Sequence, residues 1–114
     1  MRTTELDEDT ANAARAFIDR VSGQYDLAGV ILFGSRARRN HRPDSDADIA
    51  VVLRGHRGAF LDTKLDLADI AYDVLLETGV LIQPFPVWEE EWQHPEMHSN
   101  PALLHNISQD GVRL

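Results

Sequence analysis

The chain reads as an α+β domain, a small mixed β-sheet with helices packed on it, and three observations carry that reading. A nearly continuous apolar run at 27–33 has the length and composition of a strand buried on both faces. A segment at 46–53 alternates, with Ala47, Ile49, Val51 and Leu53 on one side and Asp46 and Asp48 on the other. A long stretch of helical period, 59–78, separates that segment from a third apolar segment at 80–87. The resulting order, α-β-α-β-α-β-α, implies one sheet covered by helices.

The elements follow in turn. Thr4-Glu5-Leu6-Asp7 looks like a capped helix start with Asp7 as the capping-box acid. Leu6, Ala13, Phe17 and Val21 continue it at near-helical spacing, and Gly23 is its stop. Gly34 ends the first strand, 35–39 begins a short helix, and 40–45 is a loop containing Pro43. The second strand gives way at 54–58 to a turn with two glycines. On the long helix, Leu61, Leu65, Ala68, Tyr72 and Leu75 form one stripe, read as the core face. Asp62, Asp66, Asp69, Asp73 and Glu77 form a second, read as a solvated face or a docking surface for a basic partner. Leu67, Ile70, Val74 and Leu76 are left over, to pack under the sheet or meet another chain. Gly79 closes the helix. Pro84 and Pro86 cannot donate to a ladder, so the third strand belongs at an edge or ends early. One helical turn at 89–93 and a last helix at 99–109, with Pro101 in its first turn, complete the pattern.

At 114 residues the chain is read as a single domain, 1–114. It has no cysteine, so disulfides and thiolate metal sites are excluded. Neither a signal peptide nor a membrane-spanning run is visible, which places the expected location in the cytoplasm. A formal charge of −8 repels nucleic-acid phosphates, so direct nucleic-acid binding is not expected. His94 and His98 are four apart, but Pro95 between them argues against a helical zinc pair. Trp88 and Trp92 stand among Glu89, Glu90 and Glu91, which favours packing over base stacking.

The chemistry concentrates in fifteen residues. Asp46 and Asp48, two apart on a strand, point the same way, and their hard oxygens suit Mg²⁺ or Mn²⁺. Alone, such a pair is also what an ordinary solvated strand end looks like. Gly34-Ser35 permits a tight turn and close backbone approach to a ligand. A helix starting at Ser35 would turn free N–H groups toward a phosphate, and the Ser35 hydroxyl adds a further hydrogen bond. Alone, that too is a common strand-to-helix turn. Arg36, Arg38, Arg39 and Arg42 bring positive charge into an acidic chain, and Arg36, nearest the turn, is the expected phosphate ligand.

Taken together, Phe33-Gly34-Ser35-Arg36-Ala37, a loop, and Asp44-Ser45-Asp46-Ala47-Asp48-Ile49 resemble the minimal nucleotidyltransferase (MNT) domains of the DNA polymerase β-type superfamily. Ten residues separate Ser35 from Asp46, and the resemblance covers about 27–87. It implies a nucleotidyltransferase fold, a nucleoside triphosphate substrate such as ATP, and Mg²⁺ or Mn²⁺. Asp46 and Asp48 would be the catalytic metal ligands, and Gly34, Ser35 and Arg36 the nucleotide-binding residues. It also implies pairing with a HEPN-domain toxin, the MNT protein being the antitoxin and transferring AMP to a hydroxyl of its partner. A homo-oligomer is left open. One departure stands out. Superfamily enzymes usually carry a third carboxylate on the strand after the long helix, and 80–87 holds no acid, only Gln83. Glu77, Glu89, Glu90 and Glu91 flank that strand as substitutes that spacing does not separate. The alternative reading is therefore a degenerate antitoxin that neutralises a HEPN ribonuclease by binding alone.

Overall fold

A computed structural model of the protein describes residues 6–114. Helix α1 (Glu8–Ser22) leads into strand β1 (Leu27–Phe33), the four-residue helix α2 (Ser35–Arg38) and strand β2 (Ala47–Leu53). Helix α3 (Phe60–Thr78), strand β3 (Ile82–Trp88) and helix α4 (Glu89–Gln93) follow. A 3-10 turn (Pro95–Met97), helix α5 (Pro101–Asp110) and the two-residue strand β4 (Val112–Arg113) end the order.

At the start of α1, Asp7 accepts hydrogen bonds from the Thr10 N–H at 3.1 Å and from Thr10 Oγ1 at 2.6 Å. Asp7 is thus the N-cap itself and not the capping-box acid of an earlier start. Thr4, the expected cap, lies outside the described residues.

The sheet is mixed, with strand order β3-β2-β1-β4. β1 runs antiparallel to β2 and β4, while β2 and β3 are parallel and joined through α3. β3 lies at an edge, as its two prolines require. The sequence reading contains no β4. The strand pairs Ile31 with Arg113 and Leu32 with Val112, and two residues are too few to show an alternation.

Both faces of the sheet are covered. Val30, Leu32, Ile49 and Val51 pack against Phe17 and Val21 of α1 and Leu67 and Val74 of α3. Ile31, Ala50 and Val52 pack against Ile107 of α5, with Phe85 and Trp92 beside them. Each Val, Leu, Ile or Phe side chain contributes roughly 1.5–3 kcal/mol when fully buried. Trp88 is buried against Phe60, ring centroids 6.4 Å apart, and serves packing as expected.

Helix α3 corrects the sequence reading. The side chains it buries are Leu67, Ile70, Ala71 and Val74. Leu61, Leu65 and Tyr72, assigned above to the core, are 65%, 56% and 57% exposed, and Leu76 is 69% exposed. The helix therefore carries two apolar stripes on opposite sides, with the acidic stripe between them. That acidic edge leans toward the end of α1 and the turn after it, where Arg20 pairs with Glu77 and Tyr25 donates to Asp66 at 2.9 Å. Among the described residues no helix is long and apolar enough to cross a membrane.

The two stripes separate under mutation. Leu67→Ala is expected to cost about 2–5 kcal/mol. Leu65→Ala is expected to stay within about 0.5 kcal/mol of wild type. Urea denaturation of both variants checks this, and equal costs would contradict the assignment of faces.

Candidate active site

The predicted residues meet at one end of the sheet, where β1 stops and β2 and β3 begin. Phe33 is paired with Asp48 across β1 and β2, and Asp48 with Gln83 across β2 and β3. Asp46 stands exposed just before β2, one residue outside the strand assigned to it above. Asp48 is half-buried, one strand position inside the sheet.

Gly34 makes the approach between these segments. Its backbone (φ 77°, ψ −158°) lies in a region essentially reserved for glycine, and a Cβ there would run into the Asp48 carboxylate. Ser35 opens α2, whose first N–H groups have no partners within the helix. The first intrahelical bond, from Arg38 N to Gly34 O at 3.1 Å, leaves the earlier amides of the turn to other acceptors.

Arg36 is not presented to that turn. Its residue is 2% exposed, and its guanidinium is turned inward. Nε donates to Ser45 O at 2.9 Å, Nη1 to Thr10 Oγ1 at 2.8 Å and Nη2 to Pro43 O at 3.2 Å, with Asp7 3.9 Å away. The expected phosphate ligand is instead a clamp that ties α2, the 40–45 loop and the cap of α1 together. His41 joins from the loop, its Nε2 3.4 Å from Asp7. Burial alone would push the Asp7 carboxyl up. The Thr10 hydrogen bonds and the charges of His41 and Arg36 outweigh it and hold the carboxyl below its ordinary value.

The basic residue beside the carboxylates is Arg38, exposed on α2. Burial, then the charge of Asp46, raises the Asp48 pKa, and Arg38 acts in the opposite sense. Sequence proximity to the turn favoured Arg36. The helical offset of two residues is the signal that separates an inward Arg36 from an outward Arg38.

Strand β3, where the resemblance would place a third acid, carries Gln83 beside the pair instead. Gln83 lies opposite Asp48 and its Nε2 donates to Asp46 Oδ2 at 3.1 Å. The flanking glutamates are elsewhere. Glu89, Glu90 and Glu91 follow the far end of β3, about five residues or ~17 Å along the strand from Gln83. There they face Arg54 at 3.7 Å, His56 at 3.1 Å and Arg57 at 3.1 Å. Glu77 is held by Arg20. None of the four reaches the carboxylates.

Asp46 and Asp48 offer hard oxygens; burial first, and the charge of Asp46 second, raise the Asp48 pKa, and a dication would offset both. Asp46 and Asp48 would be the residues to hold a divalent ion here. Among the described residues no group of three or more His, Cys, Asp or Glu side chains gathers into a larger site. The site is open to solvent. A cleft of about 510 Å³ is lined by Asp9, Asn12, Arg15, Ala16, Asp19, Glu77 and Thr78, none of which belongs to the site.

Residues 14–95 match the family model of the nucleotidyltransferase domain. The chain belongs to this family. No curated protein matches the sequence. Among solved structures, the domain is similar to a candidate nucleotidyltransferase from Sulfolobus solfataricus. The TM-score is 0.60 at 20% identity, covering 93% of this chain and 82% of that one. That likeness bears on the fold, which is the nucleotidyltransferase fold expected from the sequence. Nucleotidyl transfer is accordingly the chemistry of the domain class, and the matched span includes the Gly34-Ser35 turn and the Asp46/Asp48 pair.

Two predictions follow from this geometry. Arg36→Ala strands two carbonyls and a hydroxyl and is expected to cost about 3–5 kcal/mol in urea denaturation, with little recovered by Arg36→Lys. Asp48 has a raised folded-state pKa, so its favourable contribution is complete below the unfolded value of 3.8 and is lost as pH rises through the folded value. Asp48→Asn is therefore expected to raise the metal-free melting temperature at neutral pH and to flatten that part of the pH profile. A melting temperature that falls instead would contradict the unfavourable burial and charge crowding of Asp48.

Proposed function

We propose that this nucleotidyltransferase domain is of the minimal type and transfers a nucleoside monophosphate, AMP from ATP, to a hydroxyl of a partner protein. The observation that supports this most is the meeting of the Gly34-Ser35 turn with Asp48 at the end of β1 and β2. In this reading the Ser35 hydroxyl and the amides of the turn hold the triphosphate, and Arg38 balances its charge. Asp46 and Asp48 hold Mg²⁺ or Mn²⁺, which when bound neutralises the phosphate charge that develops during transfer. The acceptor oxygen bonds to the α-phosphorus, the bond to the pyrophosphate oxygen breaks, and the hydroxyl proton leaves to solvent at the exposed Asp46. The exposure of Asp46 and Arg38 suits an acceptor delivered by another protein rather than a small molecule enclosed by this one. The partner we propose is a HEPN-domain toxin, met in the cytoplasm, with this chain as antitoxin.

Gln83 favours a second reading. A neutral amide where the resemblance would place a third acid weakens metal binding and removes a base. In this reading the chain neutralises a HEPN ribonuclease by occlusion.

Intact mass of the co-expressed HEPN partner decides between them. A nucleotide-sized gain that vanishes in Asp46→Asn/Asp48→Asn supports transfer. Co-purification without a gain supports occlusion, and failure of any HEPN protein to associate overturns both. Mn²⁺ titration by electron paramagnetic resonance supplies a further check: Gln83→Asp is expected to tighten binding and the double variant to abolish it. Unchanged Mn²⁺ affinity in both would exclude the proposed donor set.

A further inference from the structure

Helix α3 is anchored to the core by Leu67, Ile70, Ala71 and Val74. Its outer side is not needed for that anchoring, yet it is apolar. Leu61, Leu65, Tyr72 and Leu76 account for all but one of the large exposed hydrophobic side chains among the described residues, Met97 being the other. With Ala68 they recur every three or four residues, so they form one stripe about 22 Å long. Single exposed leucines are ordinary on a protein surface, whereas a continuous stripe along one helix marks an interaction site.

Charge indicates what covers it. One edge of the stripe carries Asp62, Asp69 and Asp73, and behind them Asp66 and Glu77 are held by Tyr25 and Arg20. The opposite edge carries the helix's single cation, Lys64, whose Nζ lies 5.9 Å from the centre of the Phe60 ring. A second copy is a poor occupant. Antiparallel pairing of two α3 helices about a two-fold axis sets one acidic edge against the other, between chains each bearing a formal charge of −8. The complementary occupant has an apolar ridge and a cationic border.

We propose that the outer face of α3 is a docking surface for a cationic amphipathic helix of a partner protein. The apolar stripe supplies the buried area, and Asp62, Asp69 and Asp73 set orientation and raise the rate of encounter. The surface does not depend on nucleotide transfer, since it shares no residue with the Gly34-Ser35 turn or with Asp46 and Asp48.

The test is fluorescence anisotropy of the full chain with a labelled Leu/Lys peptide patterned as an amphipathic helix. Saturable one-to-one binding is expected, weakened by salt and absent when glutamate replaces every lysine of the peptide. Leu65→Ser with Leu76→Ser is expected to weaken it about tenfold or more, with the melting temperature unchanged because both side chains are exposed. Asp62→Asn with Asp69→Asn and Asp73→Asn should weaken it as well. Glu8→Gln with Asp9→Asn, on α1, and Asp46→Asn with Asp48→Asn should not, which separates this surface from general acidity and from the nucleotide site. Absence of binding, or equal binding by the stripe variants, would overturn the proposal. So would sedimentation equilibrium showing a wild-type dimer that Leu65→Ser with Leu76→Ser dissociates, because the occupant would then be a second copy.

Discussion

The buried guanidinium of Arg36 is the interaction on which the site depends. Its three nitrogens donate to three acceptors on two separate segments: Thr10 in α1, and Pro43 and Ser45 in the loop before β2. No apolar side chain can satisfy carbonyls that diverge this way, and a lysine has one compact charge where Arg36 has a planar fork. The loop it holds delivers Asp46 beside Asp48, and Asp7 closes the network through Thr10 while capping α1. One charged side chain thus fixes the direction in which the chain re-enters the sheet, and with it the spacing of the two carboxylates. A buried charge is expensive unless all its donors are used, so the arrangement is also sharply defined.

The sheet supplies the other half of the geometry. Because β1 and β2 are antiparallel, the end of one meets the start of the other, and a motif split across ten residues closes to adjacent positions. Because β2 and β3 are parallel, β3 begins at that same end and brings Gln83 level with Asp48. The parallel register also carries Glu89, Glu90 and Glu91 to the opposite end, which is why proximity in sequence to β3 does not make them ligands. Asp48 lies on the face that α4 and α5 cover further along, so it is partly withdrawn from water. That withdrawal, added to the charge of Asp46, makes the pair costly without a cation and receptive to one.

Much of this was legible in the sequence, and the parts that were not share a cause. The strands and the Gly-Ser and Asp-x-Asp elements are local patterns, and local patterns survive folding: 27–33 is a strand, Pro84 and Pro86 sit at an edge, and Gly34 makes the close approach. The acidic departure at Gln83 was equally visible. Arg36 was not, because an arginine next to a phosphate-type turn is indistinguishable in one dimension from an arginine buried beneath it. Its partners Thr10, Pro43 and Ser45 carry no motif. The faces of α3 were reversed for a related reason. Two apolar stripes of the same period fit the helix equally well, and only the packing of α1 and the sheet selects Leu67 and Val74 over Leu61 and Leu65.

Gln83 gives the last constraint. Its amide donates to Asp46 Oδ2, a hydrogen bond that a third carboxylate in its place could not make while ionised. The contact eases the same repulsion a metal would relieve, but it does so with a neutral dipole, and rotation of the amide offers an oxygen in place of the nitrogen. If the proposed cation binds, the amide oxygen would offer it only a weak third donor. The site's demand for metal is lower than that of a three-acid site, and so is its grip. Under the proposed function, a triphosphate at such a site would supply more of the coordination through its own oxygens, and nucleotide and metal would each favour binding of the other.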